Sequence, residues 1–311
     1  MTGKKRVIAV VGPTASGKTA LAVELARLLG GEVLSCDSMQ VYKGMDIGTA
    51  KVTADEMRGV KHHLIDVALP SDEFSCADYS ELARKSIDDI TERGLVPVFC
   101  GGTGLYLDGV IGISSFSDAG RDDAFRAEME KKSAHELHLE LSRIDPVSAL
   151  ATHENNVKRV IRALEIYHLT GKTKSEWDEL SRQSQAPYDS VIIGLDYKER
   201  ATLYDRINRR VDIMLENGLV NEVRELDCEA FRASNASDGI GYKELLRYFD
   251  GELTLDEAVE EIKKASRNYA KRQLTWFRRN KSVKWIFVDE LAGEEEFKLI
   301  VNSALNIINN N

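Results

Sequence analysis

Residues 12–19 read GPTASGKT and match the pattern G-x-x-x-x-G-K-S/T of a phosphate-binding loop, or P-loop. The apolar run RVIAVV (6–11) before the loop predicts a buried strand, and GKTALAVELARLLG (17–30) predicts an amphipathic helix after it. Backbone N–H groups of such a loop, together with the N-terminus of the following helix, point at phosphate oxygens. The sequence therefore predicts a polyphosphate site, and a glycine-rich turn without a ligand is the weaker interpretation.

Two side chains of this loop add specific chemistry. Lys18 supplies a positive charge, and the Thr19 hydroxyl is in the position that ligates Mg²⁺, which we expect as the cofactor. The residues that we expect to bind the phosphates are Gly12, Pro13, Thr14, Ala15, Ser16, Gly17, Lys18 and Thr19.

Strands and helices alternate along much of the chain. Further strands are predicted at EVLSC (32–36), HHLIDV (62–67), VPVFC (96–100), SVIIGLD (190–196) and VKWIFV (283–288). This alternation predicts an α/β fold, with a P-loop NTPase-like parallel sheet core that is flanked by helices. In such a fold, ligands bind at the carboxyl ends of the strands.

Residues 120–189 follow a different pattern. Charged helical stretches such as RDDAFRAEMEKK (121–132) and NNVKRVIRALEIYHLTGK (155–172) replace the strand-like runs. We therefore predict an all-helical insertion domain over 120–189, which interrupts a catalytic core formed by 1–119 and 190–311.

Composition limits the class of protein. The chain has 311 residues, of which 43% are hydrophobic and 30% are charged, as is typical of a soluble globular protein. No segment is long and apolar enough to span a membrane, so we expect no membrane partner. The four cysteines are spread without a CxxC pair, which argues against a zinc site or a disulfide framework and favours a reducing cytoplasm. Nothing indicates an obligate protein partner, and we expect a monomer.

The distribution of charge matters more than the net charge of −9, which by itself argues against a nucleic-acid partner. Residues 262–288 contain nine Lys or Arg residues and no acid. Spacings of three, four and seven place four of these cations on one helical face: Lys264, Arg267, Lys271 and Arg278. Contact with nucleic-acid phosphates is the interpretation favoured over a solvated charged face.

The strand at 32–36 ends at an acid, Asp37. P-loop NTPases usually hold Mg²⁺ through an Asp at the end of a second strand. The strand at 96–100 leads into Gly101, Gly102 and Thr103 and supplies no acid there. Asp37 is therefore either this metal ligand or a base, and a turn cap is the simplest structural alternative.

Seven motifs, in this order along the chain, resemble those of bacterial tRNA dimethylallyltransferases, also called tRNA isopentenyltransferases. They are GPTASGKT, DSMQVYKGMDIGTAK (37–51), HHLID (62–66), GGTGLYL (101–107), RVIRALEIYHLTGK (159–172), GIGYKE (239–244) and RNYAKRQLTWFR (267–278). Members of this family transfer the dimethylallyl group of dimethylallyl diphosphate to N6 of adenosine 37, next to the tRNA anticodon. The products are N6-dimethylallyladenosine and diphosphate.

The resemblance implies roles for individual residues. Asp37 matches the general base, Thr103 matches a threonine at the reacting centre, and Arg210 resembles an arginine that grips the diphosphate. Because a stacked adenine cannot reach an active site, the resemblance also implies a surface that holds the anticodon stem-loop with its adenosine flipped out.

The expected contacts with tRNA come from the motifs, from the basic helix and from the insert, where cations again share a helical face. They are Asp37, Ser38, Met39, Gln40, Thr103, Arg126, Lys158, Arg159, Val160, Ile161, Arg162, Asp238, Gly239, Ile240, Gly241, Tyr242, Lys243, Arg267 and Lys271. Asp238 departs from the family pattern, in which a neutral or basic residue is more common.

Two other classes of function share the P-loop. A small-molecule or nucleotide kinase would transfer phosphate from ATP and would use Asp37 to activate a hydroxyl group. An RNA-binding regulatory NTPase would hydrolyse its nucleotide and leave the RNA unaltered. A long basic helix is of no use to the kinase.

Overall fold

A parallel sheet forms the centre of the main unit. The computed structural model describes residues 4–112, 120–183, 186–291 and 295–310. Within these residues the strands are β1 (Arg6–Val11), β2 (Gly31–Cys36), β3 (His62–His63), β4 (Val96–Gly101), β5 (Asp189–Asp196) and β6 (Lys284–Phe287). Their spatial order is β3-β2-β4-β1-β5-β6, and each neighbouring pair is parallel. The predicted P-loop NTPase-like α/β core is confirmed.

Helices connect and cover these strands. In chain order they are α1 (Lys18–Leu29), α2 (Ala54–Met57), α3 (Cys76–Glu92), α4 (Gly104–Ile111), α5 (Asp123–Met129), α6 (Ala134–Ile144), α7 (Pro146–Ala151), α8 (Val157–Thr170), α9 (Lys174–Gln183), α10 (Arg200–Glu216), α11 (Leu219–Leu226), α12 (Glu229–Arg232), α13 (Tyr242–Phe249), α14 (Leu255–Phe277) and α15 (Glu296–Asn309). In the described part of the chain, none of them is long and apolar enough to cross a membrane.

The chain divides into two compact units, one formed by Met1–Leu107 with Tyr188–Asn311 and the other by Asp108–Pro187. The second unit contains α5 to α9 and overlaps the predicted insert over 120–189. The predicted boundary after residue 119 follows residues 113–119, which lie outside the described residues. A separate apolar core supports this unit, with Leu137, Leu141 and Val160 at its centre.

Apolar residues of β1 explain why the strand lies in the middle of the sheet. Ile8 and Val10 are buried and belong to one cluster with Leu21 and Leu25 of α1. Burial of each such side chain stabilises the fold by about 1.5–3 kcal/mol. The strand and the helix on either side of the P-loop are therefore both held by the core.

The third strand is shorter than predicted. β3 ends at His63, whereas the apolar pattern predicted a strand over 62–67. Leu64 and Asp66 adopt positive φ angles of 64° and 57°, which bend the chain out of an extended path. The bend allows the Asp66 N–H to donate to the carbonyl of Gln40 at 3.2 Å, a contact that hydrophobic periodicity does not predict.

Three loops leave the sheet at the same edge. They follow β1 at Gly12, β2 at Asp37 and β4 at Gly102, and the register pairs Gly101 with both Val11 and Cys36. Gly12 has a φ angle of 142°, and a Cβ there would lie 2.4 Å from the Leu195 carbonyl oxygen, so only glycine fits. Parallel strands thus bring the P-loop, Asp37 and the loop after β4 together, as expected.

Candidate active site

An open cavity of about 1220 Å³ lies at this edge of the sheet, within the first unit. The P-loop lines it, together with residues 37–40, 46–53 and 238–243 and parts of α10 and α14. Two segments that the sequence analysis assigned to tRNA, 37–40 and 238–243, therefore face the same space as the P-loop.

The P-loop is arranged to receive an anion. Ala15 and Gly17 have positive φ angles of 62° and 87°. The Lys18 ammonium group donates to the Pro13 carbonyl at 2.6 Å, and burial lowers its pKa to about 8. The Ser16 hydroxyl is buried and has no hydrogen-bond partner among the described residues. Because an unpaired buried polar group is unfavourable, this hydroxyl is suited to pair with a polar ligand in the cavity.

Arg210 of α10 faces the cavity beside the P-loop. Its Nε atom is buried without a partner in the described part of the chain. Burial lowers the pKa of the guanidinium, while the negative charges of Asp37 and Glu56 act in the opposite direction. Arg206, one turn earlier, donates to the Ala15 carbonyl at 3.0 Å and so ties α10 to the P-loop.

Asp37 follows β2, which is separated from β1 by β4. With a strand spacing of about 4.8 Å, the ends of β1 and β2 are roughly 10 Å apart. The Oδ1 atom of Asp37 accepts the N–H of Met39 at 2.9 Å, so the turn-cap alternative is realised by one of the two carboxylate oxygens. The hydrogen bonds of the described residues leave Oδ2 available to a ligand in the cavity.

Thr103 is held directly beside the start of this turn. Its N–H donates to the Cys36 carbonyl at 3.1 Å, and its Oγ1 atom accepts the N–H of Ser38 at 3.0 Å. Tyr269 of α14 lines the same cavity, and burial raises the pKa of its phenol. The structure thus brings together Asp37, Ser38 and Thr103, as predicted, and adds Tyr269.

Comparison with known proteins identifies the family. A family model described as IPP transferase matches residues 40–280 of the chain. The tRNA dimethylallyltransferase of Anoxybacillus flavithermus is 49% identical over 304 residues, which cover 98% of this chain and 96% of the relative. That of Halalkalibacterium halodurans is 50% identical over 303 residues, which cover 96% of each. The chain belongs to the IPP transferase family.

Solved structures of similar proteins agree with this assignment. The tRNA isopentenylpyrophosphate transferase of Bacillus halodurans has a TM-score of 0.74 and 47% identity, with 99% of this chain and 98% of that chain covered. A eukaryotic dimethylallyltransferase acting on tRNA has a TM-score of 0.82 and 28% identity, with 98% and 80% covered. The resemblance seen in the motifs is therefore confirmed.

In this IPP transferase, Gln273 is a site residue that the sequence analysis missed. Its side chain is 4% exposed. Its Oε1 atom accepts the N–H of Thr14 at 2.8 Å, and its Nε2 atom donates to the Gly102 carbonyl at 3.2 Å. It therefore joins the P-loop to the loop after β4. Its position within the RNYAKRQLTWFR motif could have indicated a role at the site. The neighbouring cations instead favoured an exposed helix face.

The basic stripe on α14 is less uniform than predicted. Lys264 and Lys271 are exposed. Arg267 donates to the Asn208 side chain at 2.5 Å. Arg278, by contrast, pairs at 2.6 Å with the carboxylate of Asp196, which is fully buried. Arg278 is nevertheless half-exposed, and it shares this single acid with Arg200 at 3.0 Å. Contact of the four cations with nucleic-acid phosphates stays a prediction.

Several predicted tRNA contacts have buried side chains. Val160 and Ile161 are 0% and 4% exposed and belong to the core of the second unit, and Tyr242 is 0% exposed. Packing covers these three side chains, so only the backbone at these positions could make the predicted contacts, which stay predictions. Lys158 and Arg159 are exposed on the same helix as Val160.

Two arginines of the second unit share one buried acid. Glu165 is fully buried, and its carboxylate pairs with Arg126 at 2.7 Å and with Arg162 at 2.6 Å. Burial opposes ionisation of Glu165, but these two cations and the N–H of Asp122 lower its pKa to about 2. Glu165 was also missed, since an acid within a helix usually faces solvent.

The remaining predicted contacts line the cavity or lie beside it. Met39 packs next to Gly239, where an added Cβ would approach its sulfur to 3.1 Å. Both ends of the Gln40 amide are used, because Oε1 accepts the Ser35 hydroxyl at 2.7 Å and Nε2 donates to the Thr49 carbonyl at 3.2 Å. Asp238 and Lys243 are exposed, whereas Gly239 and Gly241 are buried and Ile240 is half-buried.

Proposed function

We propose that the protein transfers the dimethylallyl group from dimethylallyl diphosphate to N6 of adenosine 37 in tRNA. The products are N6-dimethylallyladenosine and diphosphate. One observation carries the assignment: a single cavity holds the unpaired polar atoms of Ser16 in the P-loop and Arg210 on α10, and a carboxylate oxygen of Asp37 that accepts no bond from the described residues. Membership of the IPP transferase family agrees with this chemistry.

The P-loop end of the cavity is suited to the leaving diphosphate. As the allylic C–O bond breaks, negative charge grows on the diphosphate oxygens, and groups that stabilise this charge lower the barrier. Lys18 and Arg210 supply positive charge, and the buried Ser16 hydroxyl supplies a donor. Because burial lowers the pKa of both cations, a bound anion would stabilise their charged forms.

The Asp37 end is suited to the nucleophile. The N6 amine is a poor nucleophile, since its lone pair is delocalised into the adenine ring. As its bond to carbon forms, the nitrogen becomes acidic, and a carboxylate within hydrogen-bond reach takes the proton. The separation of roughly 10 Å between the ends of β1 and β2 supports a base at this position rather than a ligand of a P-loop metal.

We infer that Mg²⁺ accompanies the diphosphate. The hydroxyl of Thr19, at the start of α1, is the P-loop group that would hold it. When bound, the ion would supply further compensation of the diphosphate charge. Thr19 lies on the wall of the cavity, and this supports the assignment.

Exposed cations support the proposed tRNA partner. Lys264 and Lys271 on α14 and Lys243 on α13 belong to the same unit as the cavity and are exposed, so they can meet phosphates of the anticodon stem-loop. Lys243 also lies 3.6 Å from the carboxylate of Glu244. Lys158 and Arg159 offer similar contacts on the insert.

We further propose that the protein works as a cytoplasmic monomer.

A transfer assay tests the proposal. The protein is incubated with Mg²⁺, an unmodified anticodon stem-loop, and either labelled dimethylallyl diphosphate or labelled ATP. We expect label in the RNA from dimethylallyl diphosphate alone. Turnover of ATP without modification of the RNA would contradict the proposal and favour a kinase or a regulatory NTPase.

A further inference from the structure

Glu222 of α11 lies outside the seven sequence motifs, yet its carboxylate accepts four hydrogen bonds. Oε2 accepts the backbone N–H groups of Asp46 and Ile47 at 2.9 and 2.6 Å. Oε1 accepts the N–H of Gly48 at 3.0 Å and the hydroxyl of Tyr242 at 2.6 Å. One side chain therefore holds three successive backbone amides and a tyrosine that begins another helix.

Close packing accompanies these bonds. The Tyr242 ring is fully buried, and a Cβ atom added at Gly48 would lie 2.6 Å from it. Only glycine at position 48 allows this approach, so the 46–48 loop lies directly against the ring. Glu222 and Tyr242 are thus bonded to each other and both contact the loop.

Both segments that Glu222 joins are walls of the cavity. Residues 46–53 form one wall and residues 238–243 form another. The 46–48 loop continues the segment that begins at Asp37, and Gln40 ties the two parts together through the Thr49 carbonyl at 3.2 Å. The P-loop, in contrast, is fastened by Gln273 and Arg206, which do not contact Glu222.

We propose that Glu222 is a positioning residue for the nucleic-acid substrate. Its carboxylate fixes the 46–48 loop and the start of α13 in the shape that receives the flipped adenosine, and this inference rests on the proposed function. Because the P-loop has separate supports, loss of the carboxylate weakens use of the RNA and leaves the diphosphate site intact.

The test is Glu222→Gln, with Glu225→Gln as the matched control on an exposed position of the same helix. A glutamine has only one acceptor oxygen. Its NH₂ group would face at least one backbone N–H group of the 46–48 loop, whichever of the two carboxylate oxygens it replaces. We expect the KM for an anticodon stem-loop to rise roughly 10-fold or more, the scale of one lost charge-assisted hydrogen bond. The Kd for dimethylallyl diphosphate should not change in either variant.

Amide hydrogen exchange measures the loop directly. We expect faster exchange at residues 46–48 in Glu222→Gln than in the parent protein or in Glu225→Gln. Tyr242→Phe keeps the ring and removes one of the four bonds, so it should shift both readouts in the same direction by less. This variant serves as the test if Glu222→Gln does not fold.

Two results would overturn the inference. One is an unchanged KM for the stem-loop, whatever happens to exchange. The other is an equal loss of affinity for dimethylallyl diphosphate, which would indicate general destabilisation. The proposed function fails separately: a parent protein that protects residues 46–48 but transfers no dimethylallyl group would contradict the function and leave the exchange result standing.

Discussion

Asp37 shows how one side chain can serve both a turn and a reaction. Its Oδ1 atom caps the turn through the N–H of Met39, while Oδ2 remains available at the cavity. The first oxygen fixes the direction of the second, since the carboxylate plane cannot rotate freely once it is bonded to the backbone. A base that is held in this way needs little reorganisation before it accepts a proton.

The substitution Asp37→Asn separates these two roles. An asparagine can keep the bond to the Met39 N–H but cannot take a proton at neutral pH. We expect transfer to slow by roughly 10²- to 10⁴-fold, with the affinity for dimethylallyl diphosphate unchanged. Single-turnover transfer and calorimetric binding measure the two quantities, and the exposed Asp256→Asn on α14 is the control. Transfer at the parent rate would show that Asp37 is not the base.

At the scale of elements, α14 performs two tasks on different faces. Its buried face fastens the P-loop and the loop after β4 through Gln273, and its exposed face presents Lys264 and Lys271. Helical periodicity separates these faces, because residues three or four apart lie together. The same helix can therefore hold the reaction centre and meet RNA phosphates.

Lys271→Ala tests the exposed face of α14. If Lys271 neutralises a phosphate, its removal should lower the magnitude of the slope of log K against log salt by about 1, because fewer counterions are released on binding. Stem-loop binding measured over a series of salt concentrations gives this slope. Lys298→Ala, on an exposed position of α15, should leave it unchanged. If the salt dependence of stem-loop binding is the same in Lys271→Ala as in the parent protein, Lys271 does not contact a phosphate and belongs to a solvated surface.

Helix α8 offers a second test at this scale, through the acid that pairs with Arg126 and Arg162. The pKa of Glu165 is lowered to about 2, so its ionisation stabilises the fold above pH 4.5. That stability is lost as the pH falls from about 4.5 to about 2. Glu165→Gln should reduce the stability at pH 7 by about 2 kcal/mol and flatten this acid dependence.

Thermal unfolding of the parent and of Glu165→Gln between pH 2 and pH 7 measures the effect. Glu128→Gln, on an exposed position of α5 in the same unit, is the control and should follow the parent closely. Equal stability of Glu165→Gln and the parent at pH 7 would mean that the two arginines do not depend on this acid.

For the whole molecule, unpaired polar groups in the P-loop and on α10 link ligand binding to folding. Ser16 and Arg210 each have a buried polar atom without a partner in the described chain. A ligand that pairs these atoms binds the native state alone and stabilises it by about 2.7 kcal/mol at 100 times its Kd. The free protein should therefore be less stable than the protein with bound diphosphate.

A thermal scan tests this link. Dimethylallyl diphosphate with Mg²⁺ should raise the Tm by several degrees, since about 1 kcal/mol shifts the Tm of a large domain by roughly 2–4 °C. Lys18→Met should abolish most of the shift, because it removes the P-loop cation. No shift at a saturating concentration in the parent protein would contradict a diphosphate site at the P-loop.

The fold was predictable where a local pattern has one structural meaning. The P-loop motif and the apolar runs predicted β1, α1 and the parallel sheet, because each depends on neighbouring residues. The strand at 62–67 was overpredicted, since the positive φ angles of Leu64 and Asp66 depend on contacts with a distant turn. Local periodicity does not contain that information.

The P-loop, the placement of Asp37 at a strand end and the resemblance to the family all follow from residues that are close together along the chain. Which charged groups remain available depends on the packed fold, because a helical pattern defines a face without showing what packs against it. Arg278 pairs with Asp196, and Gln273 and Glu222 bond to residues 259 and 175 positions away. Such contacts exist only after the chain has folded, and they shape the site around Asp37.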